Sequence, residues 1–111
     1  MNNALWIGRV ERSFDADELV GVVRDYLAEC PAERLNALPQ HCRPQAVANA
    51  DDVALWAYRL TACHCTAMGA ANGDDPLFEL STFFGGAARR LAILAAQRAA
   101  LLHSSRTRIS A

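Results

Sequence analysis

No lysine occurs in this chain; its eleven basic residues are all arginine. An alanine-rich, lysine-free composition is what a GC-rich gene produces, so the bias carries no function by itself. Runs of β-branched and aromatic residues are scarce, which argues against strands and, with so much alanine and leucine, for helices. No apolar run approaches the roughly 20 residues that a membrane-spanning helix needs. Met1 to Phe14 has no basic start followed by an apolar stretch, so no secretory leader is read there and the cytoplasm is the expected location. Acidic residues stop at Glu79. Beyond it Arg89, Arg90, Arg98, Arg106 and Arg108 have no local counter-charge, although the net charge is only −1.

Signals for chemistry are equally sparse. Cys63-His64-Cys65 invites a metal or redox reading. On a continuous helix, however, successive residues point about 100° apart, so the two cysteines face nearly opposite ways and cannot share one ion. Neither C-x-x-C nor a spaced C…H pattern occurs. A metal centre would need these residues to meet His41 and Cys42 from the connector, and none is expected. The four cysteines, Cys30, Cys42, Cys63 and Cys65, read as reduced and mostly buried. Cys42, beside His41 and Arg43, comes nearest to the cationic setting of a reactive thiolate. Oxidised, Cys30 and Cys42 could pair, but four cysteines allow three connectivities. The pairs Asp51-Asp52 and Asp74-Asp75 fall at helix starts, where capping and the dipole account for them. Gly85-Gly86 lacks the strand and further glycines of a phosphate loop.

What the chain does have is helical periodicity. Its 111 residues fit one domain with a core of its own. Asp15 and Glu18 form a D-x-x-E capping box, with Phe14 and Leu19 at the staple positions. Ala16, Leu19, Val23, Tyr26, Leu27 and Cys30 then share one face. Pro31 stops this helix and opens a short one that Pro39 ends. A third helix begins around Asn49, with Val53, Trp56, Leu60, Cys63 and Ala67 as its stripe. Between Val53 and Gly73 its only charged residue, histidine aside, is Arg59. Such a helix should be central or covered by another subunit.

The organising stretch is Leu77 to Leu102. Leu80, Phe83, Phe84, Leu91 and Leu94 lie on its large-residue face, with Arg98 breaking the pattern. A second stripe, Gly85, Ala88, Ala92, Ala96 and Ala99, is small throughout and would let another backbone approach. The expectation is an all-α bundle of three long helices and one short helix, of up-and-down character. Residues 1–14 form an irregular arm, 15–103 the helical core and 104–111 a frayed tail.

The functional reading that follows is a non-enzymatic, self-associating protein, a regulatory or accessory subunit that dimerises through Gly85, Ala88, Ala92, Ala96 and Ala99 without a cofactor. Another protein could take the place of the second copy. The alternative is nucleic-acid association through Arg89, Arg90, Arg106 and Arg108. A helix-turn-helix built from Asp15–Cys30 and Pro31–Leu38 is weaker, since its second helix offers only Arg34 and Asn36 to a groove. A metal- or thiol-dependent protein using the Cys and His residues ranks third.

Overall fold

The protein, seen as a computed structural model, is described over residues 3–36, 38–44, 47–67 and 76–110, without the side chains of Arg34 and of residues 64–67, 76–77 and 104–110. Its helices are α1 (Asn3–Glu11), α2 (Ala16–Glu29), the short α3 (Ala32–Asn36), α4 (Ala50–Ala67) and α5 (Pro76–Ser110), with a 3-10 turn at Gln40–Cys42. Among the described residues there is no strand, so the architecture is a small all-α bundle. None of its described helices is long and apolar enough to cross a membrane.

Two helices start where local chemistry says they should. Asp15 has extended backbone, and its carboxylate accepts the N–H of Glu18 at 2.8 Å. Glu18 answers by accepting the N–H of Phe14 at 3.0 Å. Asn49 and Asp52 repeat the device on α4: the Asp52 N–H donates to Asn49 Oδ1 (3.1 Å), while the Asp52 carboxylate accepts from Ala48 and Asn49 (3.0 and 3.3 Å). Each box satisfies amides that the first helical turn leaves unpaired. Asp15→Ala should therefore cost about 0.5–2 kcal/mol. A urea melt indistinguishable from wild type would show that the box contributes nothing.

The staple does not form. Leu19 is fully buried, but Phe14 is 85% exposed and lines a groove beside α5. The N-terminal segment also departs from expectation, because residues 3–11 are helical rather than an irregular arm. Burial of Trp6 and Val10, one turn apart, explains this: a short helix with a weak pattern is stabilised by its two anchors in the core.

The core is an aromatic stack in which each ring comes from a defined helix. Phe83 of α5 lies flat on Tyr26 of α2, with centroids 3.7 Å apart and 12° between planes. Trp6 of α1 meets Tyr26 edge-on at 5.6 Å, and Phe84 meets Phe83 edge-on at 5.6 Å. Offset and edge-on pairs are the favoured geometries of such rings. Asn3 tethers the stack by accepting from the Tyr26 hydroxyl (3.4 Å) and donating to the Glu79 carbonyl (3.3 Å). α5 is the shared neighbour of α1, α2 and α4.

Arginines tie down the irregular segments. Arg24 donates to the carbonyls of Val47 (2.6 Å) and Ala48 (2.8 Å), and Arg43 to those of Leu38 (3.0 Å) and Asn36 (2.9 Å). Arg90 grips the Ser13 carbonyl with two bonds, of 3.2 and 2.7 Å. The forked guanidinium suits this work, because it presents several donors in one plane.

α5 outruns the bundle it organises. Its side chains are buried as far as Leu94, and every residue from Ala95 to His103 is exposed. The helix continues to Ser110 instead of fraying after His103. At 1.5 Å per residue it is roughly 52 Å long, close to the 58 Å longest dimension of the molecule. Arg98 breaks the apolar pattern because it lies past the core and is exposed.

Candidate functional site

A groove of ≈ 850 Å³ runs along the second half of α5. Ala88, Leu91, Ala92, Leu94, Ala95 and Leu101 form one wall. The opposite side is made by the N-terminal ends of α2 and α4, through Phe14, Asp15, Ala16, Ala50, Asp51 and Ala54. These walls are mostly small or apolar side chains, with Asp15 and Asp51 at the two helix starts and Arg90, Gln97 and Arg98 contributed by α5. Leu101 and Leu102, 70% and 55% exposed, stand on that projection.

The small-residue stripe is only partly in this groove. Ala88 is half-buried and Ala92 exposed, and both line it. Ala96 and Ala99 are exposed. Gly85 is half-buried, yet a methyl group added there would meet nothing within 4 Å. Among the described residues no helix of the same chain is therefore seated against the stripe at Gly85. The charge-poor α4 is not central either. It buries Val53, Trp56, Ala57 and Leu60 while exposing Leu55 and Tyr58.

The basic residues are dispersed in their tasks. Arg89 is exposed, Arg90 is half-buried on Ser13, and the side chains of Arg106 and Arg108 lie outside the described residues. Asp74 and Asp75 also lie outside them. Phe14 and the tips of α2 and α4 could not be assigned to the groove from the sequence, because they join α5 only through tertiary packing.

A second cluster lies where the connector before α4 folds back onto that helix. Pro39 starts the 3-10 turn, and the Cys42 N–H closes it on the Pro39 carbonyl at 2.8 Å. That turn carries His41 and Cys42 to Cys63, whose sulfur is 3.3 Å from His41 Nε2. Donor atoms of His41, Cys42 and Cys63 all lie within 4.8 Å of one another. Cys42 is fully buried, Cys63 half-buried and His41 exposed. Cys42 Sγ also lies 3.8 Å from the Arg59 carbonyl oxygen.

The structure joins Cys42 and Cys63 as a disulfide across 21 positions of sequence, with Cα atoms 7.0 Å apart. This departs from the expectation of reduced cysteines, and it gives Cys42 a partner other than the buried Cys30. The meeting with His41 and Cys42 that a metal centre would need, unexpected from the sequence, does occur at Cys63. Among the described side chains Cys63 is the member of the C-H-C triplet that takes part, and its partners come from the distant connector. The side chains of His64 and Cys65 lie outside the described residues.

No protein-family model, no curated protein and no solved structure matches this chain. Its function has to be argued from the groove and the cluster themselves.

Proposed function

We propose that this is a non-enzymatic accessory or regulatory protein that works as a homodimer, with the projecting end of α5 from each copy lying antiparallel in the α5 groove of the other. The observation that carries this reading is the projection of α5 beyond the core with Leu101 and Leu102 exposed, beside a groove lined by Ala88, Leu91, Ala92 and Leu94. Isolated helices are marginal in water, and an apolar projection gains most from a partner.

Charge supports a second copy as the occupant. After Glu79 the chain is charged only by arginine, whereas the far wall of the groove carries Asp15 and Asp51 at two helix N-termini. The arginines of one α5 would meet the carboxylates of Asp15 and Asp51 on the other, while the negative C-terminal end of its helix dipole would face the positive ends of α2 and α4. The arrangement is self-complementary, as a two-fold interface requires. It would also bring the small residues Ala92, Ala96 and Ala99 of the two helices together, and it fits a water-borne protein of the cytoplasm.

Light scattering on the purified chain tests this together with Ala92→Leu. Because Ala92 is exposed within one chain, the substitution should leave the helicity of the monomer intact. It should weaken the dimer by about 1–3 kcal/mol through overpacking at a helix–helix contact. A wild-type chain of monomer mass across the micromolar range overturns the reading, and so does a dimer indifferent to both Ala92→Leu and the double change Leu101→Glu, Leu102→Glu.

A further inference from the structure

From the convergence of His41, Cys42 and Cys63, we propose that the reduced chain binds one zinc ion there, with a fourth position open. An imidazole and two thiolates are a donor set that a borderline-soft ion such as Zn²⁺ prefers. On a tetrahedral zinc, with bonds of about 2.0–2.1 Å to nitrogen and 2.3 Å to sulfur, the ligand atoms stand roughly 3.5–3.8 Å apart. The three donors here span no more than 4.8 Å, and the His41–Cys63 pair is at 3.3 Å. Small side-chain rotations bring them onto one ion.

Two observations favour a metal centre over a disulfide as the working state. The Cα atoms of Cys42 and Cys63 are 7.0 Å apart, beyond the roughly 4.4–6.8 Å over which disulfides usually form. Two cysteines bound to one ion need not come so close. A disulfide also has no use for His41, an exposed side chain whose Nε2 is nevertheless held against the Cys63 sulfur. The guanidinium next in sequence, on Arg43, is occupied by the carbonyls of Asn36 and Leu38, which keeps its charge on the connector.

Metal binding would release the two thiol protons to solvent. It would fasten the irregular connector, which among the described residues buries Leu38, Cys42 and Val47, to the C-terminal third of α4. The exposed imidazole sets the ion at the surface, where water can complete the tetrahedron. This inference stands apart from dimerisation, because none of its residues lines the α5 groove.

The test uses the full-length chain, reduced and freed of metal without air, then offered Zn²⁺ alone, with Co²⁺ as a coloured probe. About one ion per chain is expected, with the sulfur-to-cobalt charge-transfer and intense visible bands of a tetrahedral thiolate site. Zinc should also protect Cys42 and Cys63, but not every thiol, from alkylation. His41→Ala removes an exposed ligand and should lower affinity by more than about 100-fold, since even an outer-shell partner is worth about 10–100-fold. Cys30→Ala should bind as wild type. Cys42→Ser should abolish the cobalt bands, with circular dichroism confirming that this buried site still folds. The proposal is overturned if the reduced chain takes up no zinc, or if uptake ignores His41→Ala. Recovery of a metal-free Cys42–Cys63 disulfide from a reducing medium would overturn it as well.

Discussion

Phe83→Ala is expected to remove about 3–5 kcal/mol of stability, the usual cost of deleting a buried phenyl ring. Domains of this size have only about 5–15 kcal/mol in total, so the variant should be close to unfolding at room temperature. Phe83 is fully buried between Tyr26 and Phe84 and lies flat on the Tyr26 ring. Removing it leaves a void against two rings and uncouples α5 from α2. Urea unfolding gives the measurement, as a lowered midpoint at an unchanged slope. Phe14→Ala is the internal control, because that ring is 85% exposed and surface changes usually stay within about 0.5 kcal/mol. Equal effects from the two would mean that the aromatic stack is not the centre of this fold.

Arg90→Ala should cost about 1.5–3 kcal/mol, the range for hydrogen bonds to a charged group. Both bonds end on the carbonyl of Ser13, a residue with no exposed surface at the junction of α1 and α2. Alanine would leave that carbonyl with two donors fewer. Arg90→Lys should recover only part of the loss, since an ammonium group cannot reproduce the planar fork. The same variants bear on nucleic-acid binding. If Arg90 served a phosphate backbone, its loss would flatten a salt-dependent affinity while leaving the melt alone. A full-stability Arg90→Ala would show that the Ser13 contact does not hold this junction.

Local signals were legible where a few neighbouring residues decide the outcome. The start of α2 could be read from Asp15-x-x-Glu18, and that of α4 from Asn49 with Asp51 and Asp52 at its positive end, because capping and the dipole act within a single turn. The buried face of α2 followed from spacing, and packing then widened it to include Val20 and Val22. α1 was missed for the opposite reason. Trp6 and Val10 make a helix only when a core exists to receive them. The staple failed because local position says nothing of where the aromatic ring finds its best surroundings.

The candidate sites divide in the same way. Periodicity alone exposed the small stripe of α5, yet it could not show that helical bundling ends at Leu94 and leaves Ala95 to His103 in solvent. The helical angle argues against Cys63 and Cys65 sharing one ion. It could not bring His41 and Cys42 to Cys63, since that depends on where Pro39 and the following 3-10 turn direct the connector.

The sequence by itself determined that the chain is helical, where two of its long helices begin and which residues of α2 and α5 are apolar, because these depend on contacts within one or two turns. Tertiary structure alone decided how far the core reaches along α5, which arginines are consumed by carbonyls and which distant donors meet at Cys63. Those outcomes depend on contacts between residues 20 to 80 positions apart, such as His41 with Cys63 and Ser13 with Arg90. No local pattern encodes such contacts, because they form only when the whole apolar surface is buried at once.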